Sequence, residues 1–315
     1  MSSVSHSVMR YASLSAWRAS GAERAIYTIG NFDGVHRGHQ ALIAELVARA
    51  RENDALAVAV SFCGHTRDHF GHEQRKAPLS TREDRARLLE ALGVDALIEL
   101  EFDAALAALH GQDFLRALAG QGWCGFVLGE DFRFGAGRAS DARDIAHFLD
   151  ERGGKLVTLP PLCDNGERVS SSRIRALLLA GGVEGARVLL GREYVLRGVR
   201  VSGDGIASRL GYPTVNLGEI AALIPGNGVY AAYLRYAGRL YPALSYIGTR
   251  PTHTSGSCIR VEAHTLDSSP EVAPGEDAEL IFAHRIREER CFPDETALLE
   301  QLALDAAAAR GLILS

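Results

Sequence analysis

The spacing of apolar residues changes once along this 315-residue chain, near Gly191, and that change restricts the fold more than any other feature. Before it, short apolar runs alternate with amphipathic segments of helical period, which predicts a parallel sheet covered by helices on both faces. The predicted strands are residues 25–29, 55–62, 96–100, 125–129 and 155–159. The predicted helices are residues 38–52, 81–92, 142–152 and 170–180, with a further helix around 114–118.

After Gly191 the helical period stops, and glycine, proline and tyrosine separate short runs typical of strands. Strands spaced this closely predict a small antiparallel barrel. Its predicted strands are residues 194–201, 228–236, 240–247, 259–266 and 278–286, followed by a helix over 294–310. Because single cores stop growing at about 250–300 residues, we expect two domains, residues 22–183 and 184–315, with the boundary in the interval 181–192.

Charge and composition exclude several classes of protein. The formal net charge of −5 argues against binding nucleic acid through bulk electrostatics. No apolar run approaches the roughly 20 residues that span a bilayer, so no membrane partner is expected. The five cysteines form no CxxC pair and no disulfide framework, which indicates a reducing cytoplasm. Residues 1–20 are interpreted as a ragged leader, with a transit peptide as the alternative.

Residues 29–39, IGNFDGVHRGH, are the most informative stretch, because they follow a predicted strand and open a predicted helix. Glycines there let the backbone approach a ligand, and the helix N-terminus offers free N–H groups to phosphate. His36 and His39 share a face of the first turn, so both imidazoles can donate to phosphate oxygens as charge develops. No nucleophile stands between them, which favours direct attack by a substrate phosphate on ATP. The alternative is a tight turn with two surface histidines.

Two later segments extend this pattern: GEDFRFG at residues 129–135, with Arg138 close behind, and VSSSRIR at residues 169–175. Together with GNFDGVHRGHQ they resemble the HxGH nucleotidyltransferases, and more narrowly the adenylyltransferase half of bacterial bifunctional riboflavin kinase/FMN adenylyltransferases. The resemblance implies a Rossmann-like α/β domain in which His36 and His39 act on ATP phosphates. It also implies contacts to nucleotide, flavin or phosphate at Gly30, Asn31, Phe32, Asp33, Gly38, Phe62, Asp131, Arg138, Ser171, Ser172 and Arg175.

The main departure from this family lies at residues 62–66, FCGHT, where the family usually has FEPHP. The acid and both prolines are absent near the expected flavin and nucleotide, so weakened or redirected adenylyl transfer is one alternative. His65, His69 and His72 could share one helical face and hold zinc. Because His65 already has a place in the family pattern, a polar loop or helix face is the preferred interpretation.

A second constellation spans residues 203–216, GDGIASRLGYPTVN. A glycine-bearing loop can wrap phosphates with backbone N–H groups, although the GKS or GKT of a Walker A loop is missing. Thr214 and Asn216 alternate along an extended chain, so a hydroxyl and an amide oxygen point to one side. Both groups are suitable ligands for Mg²⁺. The alternative is an ordinary loop followed by a strand.

Four segments of the second half resemble flavokinases: LGYPTVNL, IPGNGVYA, YIGTRPT and RVEAHTLD, which begin at residues 210, 224, 246 and 260. The resemblance implies a riboflavin kinase-like barrel in which Glu262 is the general base, while Thr214 and Asn216 hold Mg²⁺. It also implies nucleotide contacts at Gly203, Gly205, Gly211 and Pro213. Val215 and Tyr246 replace the usual alanine and asparagine without removing an assigned chemical group.

Two consecutive reactions are therefore the main hypothesis: riboflavin and ATP give FMN in the barrel, and FMN and ATP give FAD and pyrophosphate in the α/β domain. The partners are these small molecules with Mg²⁺, FMN and FAD are product ligands, and weak self-association is left open. One alternative is a kinase whose transferase half is weakened. Another is a flavin- or nucleotide-binding regulatory protein that has lost catalysis. The charged run at residues 285–292 is interpreted as a solvated or salt-bridged surface.

Overall fold

The computed structural model describes residues 7–63, 77–150, 152–202, 214–251, 257–267 and 270–314. Several predicted site residues lie outside these ranges: His65, His69, His72, Gly203, Gly205, Gly211 and Pro213. The chain divides into two compact units, residues 1–76 with 80–169 and residues 77–79 with 170–315. None of the helices in the described ranges has the length and apolar composition of a membrane span.

The first unit is built on one sheet. Its six strands, counted over the described residues, are β1 (Met9–Tyr11), β2 (Arg24–Ile29), β3 (Leu56–Cys63), β4 (Ala96–Glu101), β5 (Trp123–Gly129) and β6 (Leu156–Leu159). They run parallel in the spatial order β1-β4-β3-β2-β5-β6. In β3, Val58 and Val60 join one buried cluster while Ala57 and Ala59 join the other. Both faces are therefore buried, and the predicted parallel sheet is confirmed.

Helices cover both faces of this sheet, as predicted. Their bounds are α1 (Leu14–Ala19), α2 (Arg37–Glu52), α3 (Arg82–Ala91), α4 (Ala104–Ala108), α5 (Gly111–Ala119) and α6 (Ala142–Asp150). Helices α2 and α3 pack on the same face as Ala57 and Ala59, and α5 and α6 pack on the opposite face. A short hairpin, β7 (Cys163–Asp164) with β8 (Glu167–Arg168), follows β6.

The N-terminal segment belongs to the first unit, and the interpretation of a ragged leader is wrong for residues 8–20. Strand β1 pairs with β4 at the edge of the sheet. Helix α1 buries Trp17, whose indole N–H donates to the Tyr27 hydroxyl at 3.2 Å. A strand of 3 residues and a helix of 6 are too short to show a period in the sequence. The folded unit therefore begins before residue 22.

The second unit contains the predicted barrel. Its six strands, counted over the described part of the unit, are β9 (Tyr194–Val201), β10 (Thr214–Gly218), β11 (Gly228–Tyr236), β12 (Arg239–Pro251), β13 (Ser257–Thr265) and β14 (Asp277–Arg287). They close in the order β10-β13-β12-β11-β14-β9, and every pair is antiparallel. Along β11, Tyr230 and Ala232 point inward, whereas Val229 and Ala231 point outward against α9 (Glu295–Ile313).

Two further helices, α7 (Ser171–Leu179) and α8 (Val183–Leu190), belong to the second unit. The compact units therefore divide at residues 169 and 170, earlier than the interval 181–192 that the sequence indicated. A contact that crosses a long stretch of chain joins α8 to the barrel: the carboxylate of Glu184 accepts the backbone N–H of Arg285 in β14 at 2.9 Å. Helix α8 is only two turns long, so its period was not recognised in the sequence.

Candidate active sites

The turn between β2 and α2 contains residues with positive φ, a backbone conformation that residues other than glycine rarely adopt. Phe32, Val35 and Gly34 have φ of 48°, 39° and 76°. A positive φ is costly for a bulky or β-branched residue, and it persists only where the surroundings enforce it. Phe32 and Val35 are both fully buried in the core that α2 covers, so packing holds the turn in place. Strained turns of this kind cluster at functional sites.

Two predicted glycines in this region make room for rings of the protein itself. A Cβ at Gly30 would lie 3.2 Å from the Phe32 ring, and a Cβ at Gly38 would lie 3.2 Å from the His36 ring. Both glycines therefore shape the turn, whatever ligand it holds. Phe62, at the end of β3, is half-buried.

Asp33 supports the turn from within the unit. Its Oδ1 accepts the backbone N–H of Ser80 at 3.3 Å, and the Ser80 Oγ accepts the backbone N–H of Gly34 at 3.0 Å. These bonds connect the turn to the segment that precedes α3. The neighbouring Asn31 side chain, another predicted contact residue, is exposed.

The two histidines lie together at the start of α2, as predicted. His36 is the N-cap residue, and its Nδ1 accepts the backbone N–H of His39 at 3.4 Å. The two rings stack, with centroids 3.7 Å apart and planes 17° apart. Because Nδ1 of His36 is an acceptor, the neutral ring carries its proton on Nε2, which is the donor of that imidazole.

His39 is held in the neutral form. Burial, and then the charge of His36, lower the pKa of His39 well below its usual range, with smaller contributions from Arg168 and Arg85. Its Nδ1 has no hydrogen-bond partner among the described residues. A neutral imidazole still has one N–H to donate, and it adds no proton equilibrium near pH 7.

Asp131 follows β5 and forms a salt bridge with Arg168, at the end of β8. The hydrogen bond from Arg168 is the main cause that lowers the pKa of Asp131. Since the charge of Arg168 also acts on His39, this pair lies in the electrostatic surroundings of the histidines. Arg168 was not among the predicted site residues, although it directly precedes the VSSSRIR segment. Arg138 lies exposed nearby in sequence, at a φ of 59°.

The serine-rich segment begins α7, in the second unit. Ser170 is the N-cap residue, and its Oγ accepts the backbone N–H three residues further on at 3.2 Å. Ser171 and Ser172 occupy the first turn, and Ser172 is exposed. The Nε of Arg175 donates to the backbone oxygen of Ala77 at 3.3 Å. Serines therefore cap the helix as predicted, with the cap at Ser170.

The barrel brings together the residues predicted for the kinase chemistry. Asn216 of β10 pairs in register with Glu262 of β13, and Glu262 pairs with Tyr246 of β12. Paired residues on adjacent strands point to the same face, so these three side chains form one row on the outer face of the barrel. Thr214 begins β10 and shares that face, because it lies two residues before Asn216. The Glu262 carboxylate lies 3.6 Å from Arg260 Nη1.

Tyr246 extends this row into a hydrogen-bonded cluster. Its hydroxyl donates to one carboxylate oxygen of Glu289, and the other oxygen accepts Nδ2 of Asn227 at 2.8 Å. A Cβ at Gly248 would overlap the Tyr246 hydroxyl, which gives a steric reason for a glycine there. Glu289 belongs to the charged run 285–292, in which Arg285 and Arg287 form ion pairs and Glu288 and Arg290 are exposed, as expected of a salt-bridged or solvated surface.

Two protein-family models match this chain, one over each of the two halves that contain the candidate sites. A family model described as FAD synthetase matches residues 19–173, and one described as riboflavin kinase matches residues 190–313. The bifunctional riboflavin kinase/FMN adenylyltransferase of Escherichia coli strain K12 is 32% identical over 291 residues, which cover 91% of this chain and 92% of that protein. The protein of the same name from Pseudomonas fluorescens is 33% identical over 289 residues, with 91% and 92% covered.

A crystal structure shares the fold over most of this chain. It is that of a protein named a macrolide-efflux protein from Streptococcus pneumoniae, with a TM-score of 0.84 and 28% sequence identity. The similarity covers 91% of this chain and 94% of that one. Because both family models match in order and the enzyme relatives align over nearly their full length, the chain belongs to the family of bifunctional riboflavin kinase/FMN adenylyltransferases.

Proposed function

We propose that the protein makes FAD from riboflavin in two steps that each consume ATP. Riboflavin and ATP give FMN and ADP, and FMN and a second ATP give FAD and pyrophosphate. The observation that carries the proposal is the presence of two separate constellations: the stacked histidines at the start of α2 and the row containing Asn216 and Glu262 on the barrel. The names of the two matched family models support the same division.

In the kinase step, Glu262 is the general base. Its carboxylate takes the proton of the ribityl 5′-hydroxyl as that oxygen attacks the γ-phosphorus of ATP and ADP leaves. The carboxylate is partly shielded, at 18% side-chain exposure, and Arg260 lies beside it. A shielded base on the outer face of a barrel is accessible to a substrate hydroxyl, because its neighbours Val261 and Ala263 occupy the inward face.

The same face of the barrel suits Mg²⁺. Thr214 offers a hydroxyl and Asn216 an amide oxygen on one side of β10, next to the Glu262 carboxylate. Mg²⁺ prefers such oxygen donors, and it usually takes few protein ligands because water and phosphate oxygens complete its shell. Thr214 and Asn216 would hold the ion, which would supply positive charge to the phosphate oxygens.

In the adenylyl transfer step, a phosphate oxygen of FMN attacks the α-phosphorus of ATP, and pyrophosphate leaves. Nε2 of His36 and the N–H of neutral His39 donate to phosphate oxygens as negative charge develops. The N-terminus of α2 adds the positive end of its dipole. The remaining contacts to phosphate, nucleotide and flavin come from Ser171, Ser172, Arg175, Asn31 and Asp131.

The proposed boundary between the two activities lies at residues 183 and 184. It falls between the ends of the two family models, residues 173 and 190. We place the protein in the cytoplasm, acting on riboflavin, FMN and ATP. The free thiols of Cys124, Cys163 and Cys291 agree with a reducing compartment.

The test is a flavin assay with the purified protein. It is incubated with ATP and Mg²⁺ and with either riboflavin or FMN, and the products are separated by chromatography. We expect FMN followed by FAD from riboflavin, FAD from FMN, and no FMN when EDTA removes the metal. If neither product forms, the proposal is wrong. FMN that accumulates without FAD would instead favour a kinase with a weakened transferase half, the alternative that residues 62–66 suggest.

A further inference from the structure

A buried polar layer lies beneath the turn that carries the histidines. Four of its side-chain atoms have no hydrogen-bond partner within the described residues: Thr28 Oγ1, His39 Nδ1, Arg85 Nε and Glu99 Oε1. Thr28 lies two residues after Ile26 and Glu99 two residues after Leu97, so both point to the face of the sheet that α2 and α3 cover. Buried polar groups are normally bonded, so unsatisfied atoms concentrated here point to a functional region.

Arg85, on α3, is the centre of this layer. It is only 8% exposed, and its Nη1 donates to the backbone oxygen of Asn31 at 2.8 Å and to the Ser61 Oγ at 2.6 Å. The Ser61 hydroxyl also donates to the Asn31 oxygen at 3.2 Å. The hydrogen bonds from Arg85 and Ser61 therefore fix the backbone at Asn31, where the strained turn begins.

The described part of the chain places no carboxylate against the charge of Arg85. Among the described residues no acidic side chain forms an ion pair with it. Glu99 lies in register with Ser61 on the same face, but its carboxylate is bonded to Arg10 at 2.6 Å. Buried charges are usually paired, so an unpaired guanidinium close to a phosphate-binding turn is informative.

That charge acts on His39. The charged and titratable groups that act on His39 are His36 at the helix start, Arg85 on α3 and Arg168 after β8. Each of them disfavours a proton on His39. The layer therefore provides a positive potential that attracts a polyanion. The same potential disfavours protonation of His39, so His39 itself carries no positive charge.

We propose that Arg85 is a positioning residue for adenylyl transfer, which braces the Asn31 backbone and provides a fixed positive charge beneath the two imidazoles. The inference rests on the proposed FMN adenylyltransferase activity and adds a residue to it. Arg85 need not touch the substrate, because it acts through the turn and through His39. The barrel lies in the other unit, so the kinase activity of the same chain reports the amount of active enzyme, and the fluorescence of Trp17 and Trp123 reports the folding of the first unit.

The test compares Arg85→Gln with Arg87→Gln, a matched variant on the same helix whose side chain is 62% exposed. FAD formation from FMN is measured against ATP concentration and pH, and FMN formation from riboflavin is measured in the same preparation. For Arg85→Gln we expect a loss of about 10- to 100-fold in kcat/KM for ATP. The acidic limb of the pH profile should move to higher pH, because His39 protonates more readily without the nearby charge. Arg87→Gln should match the wild type.

Arg85→Lys keeps the charge but cannot bond Asn31 and Ser61 in the same fork. We expect a several-fold lower kcat/KM with the acidic limb in its wild-type position. If the kcat/KM of Arg85→Lys equals that of the wild type, the bracing role is overturned. If the acidic limb of its pH profile moves, the role of the charge is overturned. Should Arg85→Gln fail to fold, Arg85→Lys decides. Wild-type protein that forms no FAD rejects the proposed function, whereas Arg85→Gln that matches a wild type forming FAD rejects only the role of Arg85.

Discussion

The imidazoles of His36 and His39 lie parallel across the first turn of α2, 3.7 Å apart. Two protonated rings at this distance would repel each other, so the stack favours at least one neutral ring. His39 is that ring, because burial, and then the charge of His36, lower its pKa well below the usual range. The Phe32 ring packs edge-to-face with the His39 ring, and their centroids are 5.3 Å apart.

Loss of one histidine should separate the two activities. His39→Asn removes a donor to the developing negative charge, so we expect FAD formation from FMN to fall about 100- to 1,000-fold in kcat. FMN formation from riboflavin should be unchanged, because Glu262 lies in the other unit. His147→Asn, an exposed position on α6, is the control. Steady-state assays of both reactions check this, and unchanged FAD formation would contradict the role of His39.

The neutral state of His39 predicts a dependence of stability on pH. In the unfolded chain a histidine titrates near pH 6.5, whereas in the folded unit the pKa of His39 is lowered. The unfolded state therefore takes up the proton first as pH falls. The free energy of unfolding should drop below about pH 6.5, by at most about 1.4 kcal/mol per pH unit, until the lower folded pKa is reached.

Tryptophan fluorescence during urea unfolding can measure this effect. Both tryptophans of the chain, Trp17 and Trp123, lie in the first unit, so their signal reports that unit. Between about pH 7.5 and pH 5.5 the wild type should lose more stability than His39→Asn. Equal losses in the two proteins would show that His39 does not carry the effect.

Replacement of Glu262 should reduce the kinase activity and leave adenylyl transfer unchanged, the reverse of the effect expected for His39→Asn. Glu262→Gln keeps the shape of the side chain but removes the base, so we expect FMN formation to fall about 100- to 10,000-fold. FAD formation from added FMN should remain at the wild-type rate. Glu271→Gln, on an exposed loop of the same unit, serves as the matched control. A Glu262→Gln protein that still phosphorylates riboflavin at full rate would exclude the carboxylate as the base.

A buried ion pair connects α9 to the barrel. Asp305 is 2% exposed and accepts Nε and Nη2 of Arg287 at 3.0 and 2.7 Å. Asp305→Ala leaves a buried guanidinium unpaired, so we expect a loss of about 3–5 kcal/mol in the stability of the second unit. Asp267→Ala removes the half-exposed partner of Arg310 and should cost no more than about 1 kcal/mol. Scanning calorimetry compares the two variants, and similar Tm values for both would contradict the expectation.

The long elements of both units were predictable because their apolar residues repeat. Strand β3 reads as a nearly continuous apolar run, since Val58 and Val60 are buried on one face and Ala57 and Ala59 on the other. Helices α1 and α8 were missed, because two turns or fewer give no readable period. Strand β1 was missed for the same reason, although it pairs along its whole length with β4.

Part of the candidate site was also predictable. His36 and His39 are close in sequence, and Thr214 and Asn216 alternate on one strand, so local geometry brings each pair together. Arg85 was not recognised, because its partner Asn31 lies 54 residues away. Glu289 was read as part of a surface run, since its bonds to Tyr246 and Asn227 join distant strands.

The sequence alone determined the order of the two units, the alternation of strand and helix, and the short motifs that hold chemically suited side chains. These features follow from local period and spacing, which the chain carries without folding. Only the tertiary structure decided the charge state of His39, the buried position of Arg85 and the alignment of Glu262 with Asn216. Each of these depends on burial or on pairing between segments far apart in the chain, and neither burial nor pairing can be read from neighbours in sequence.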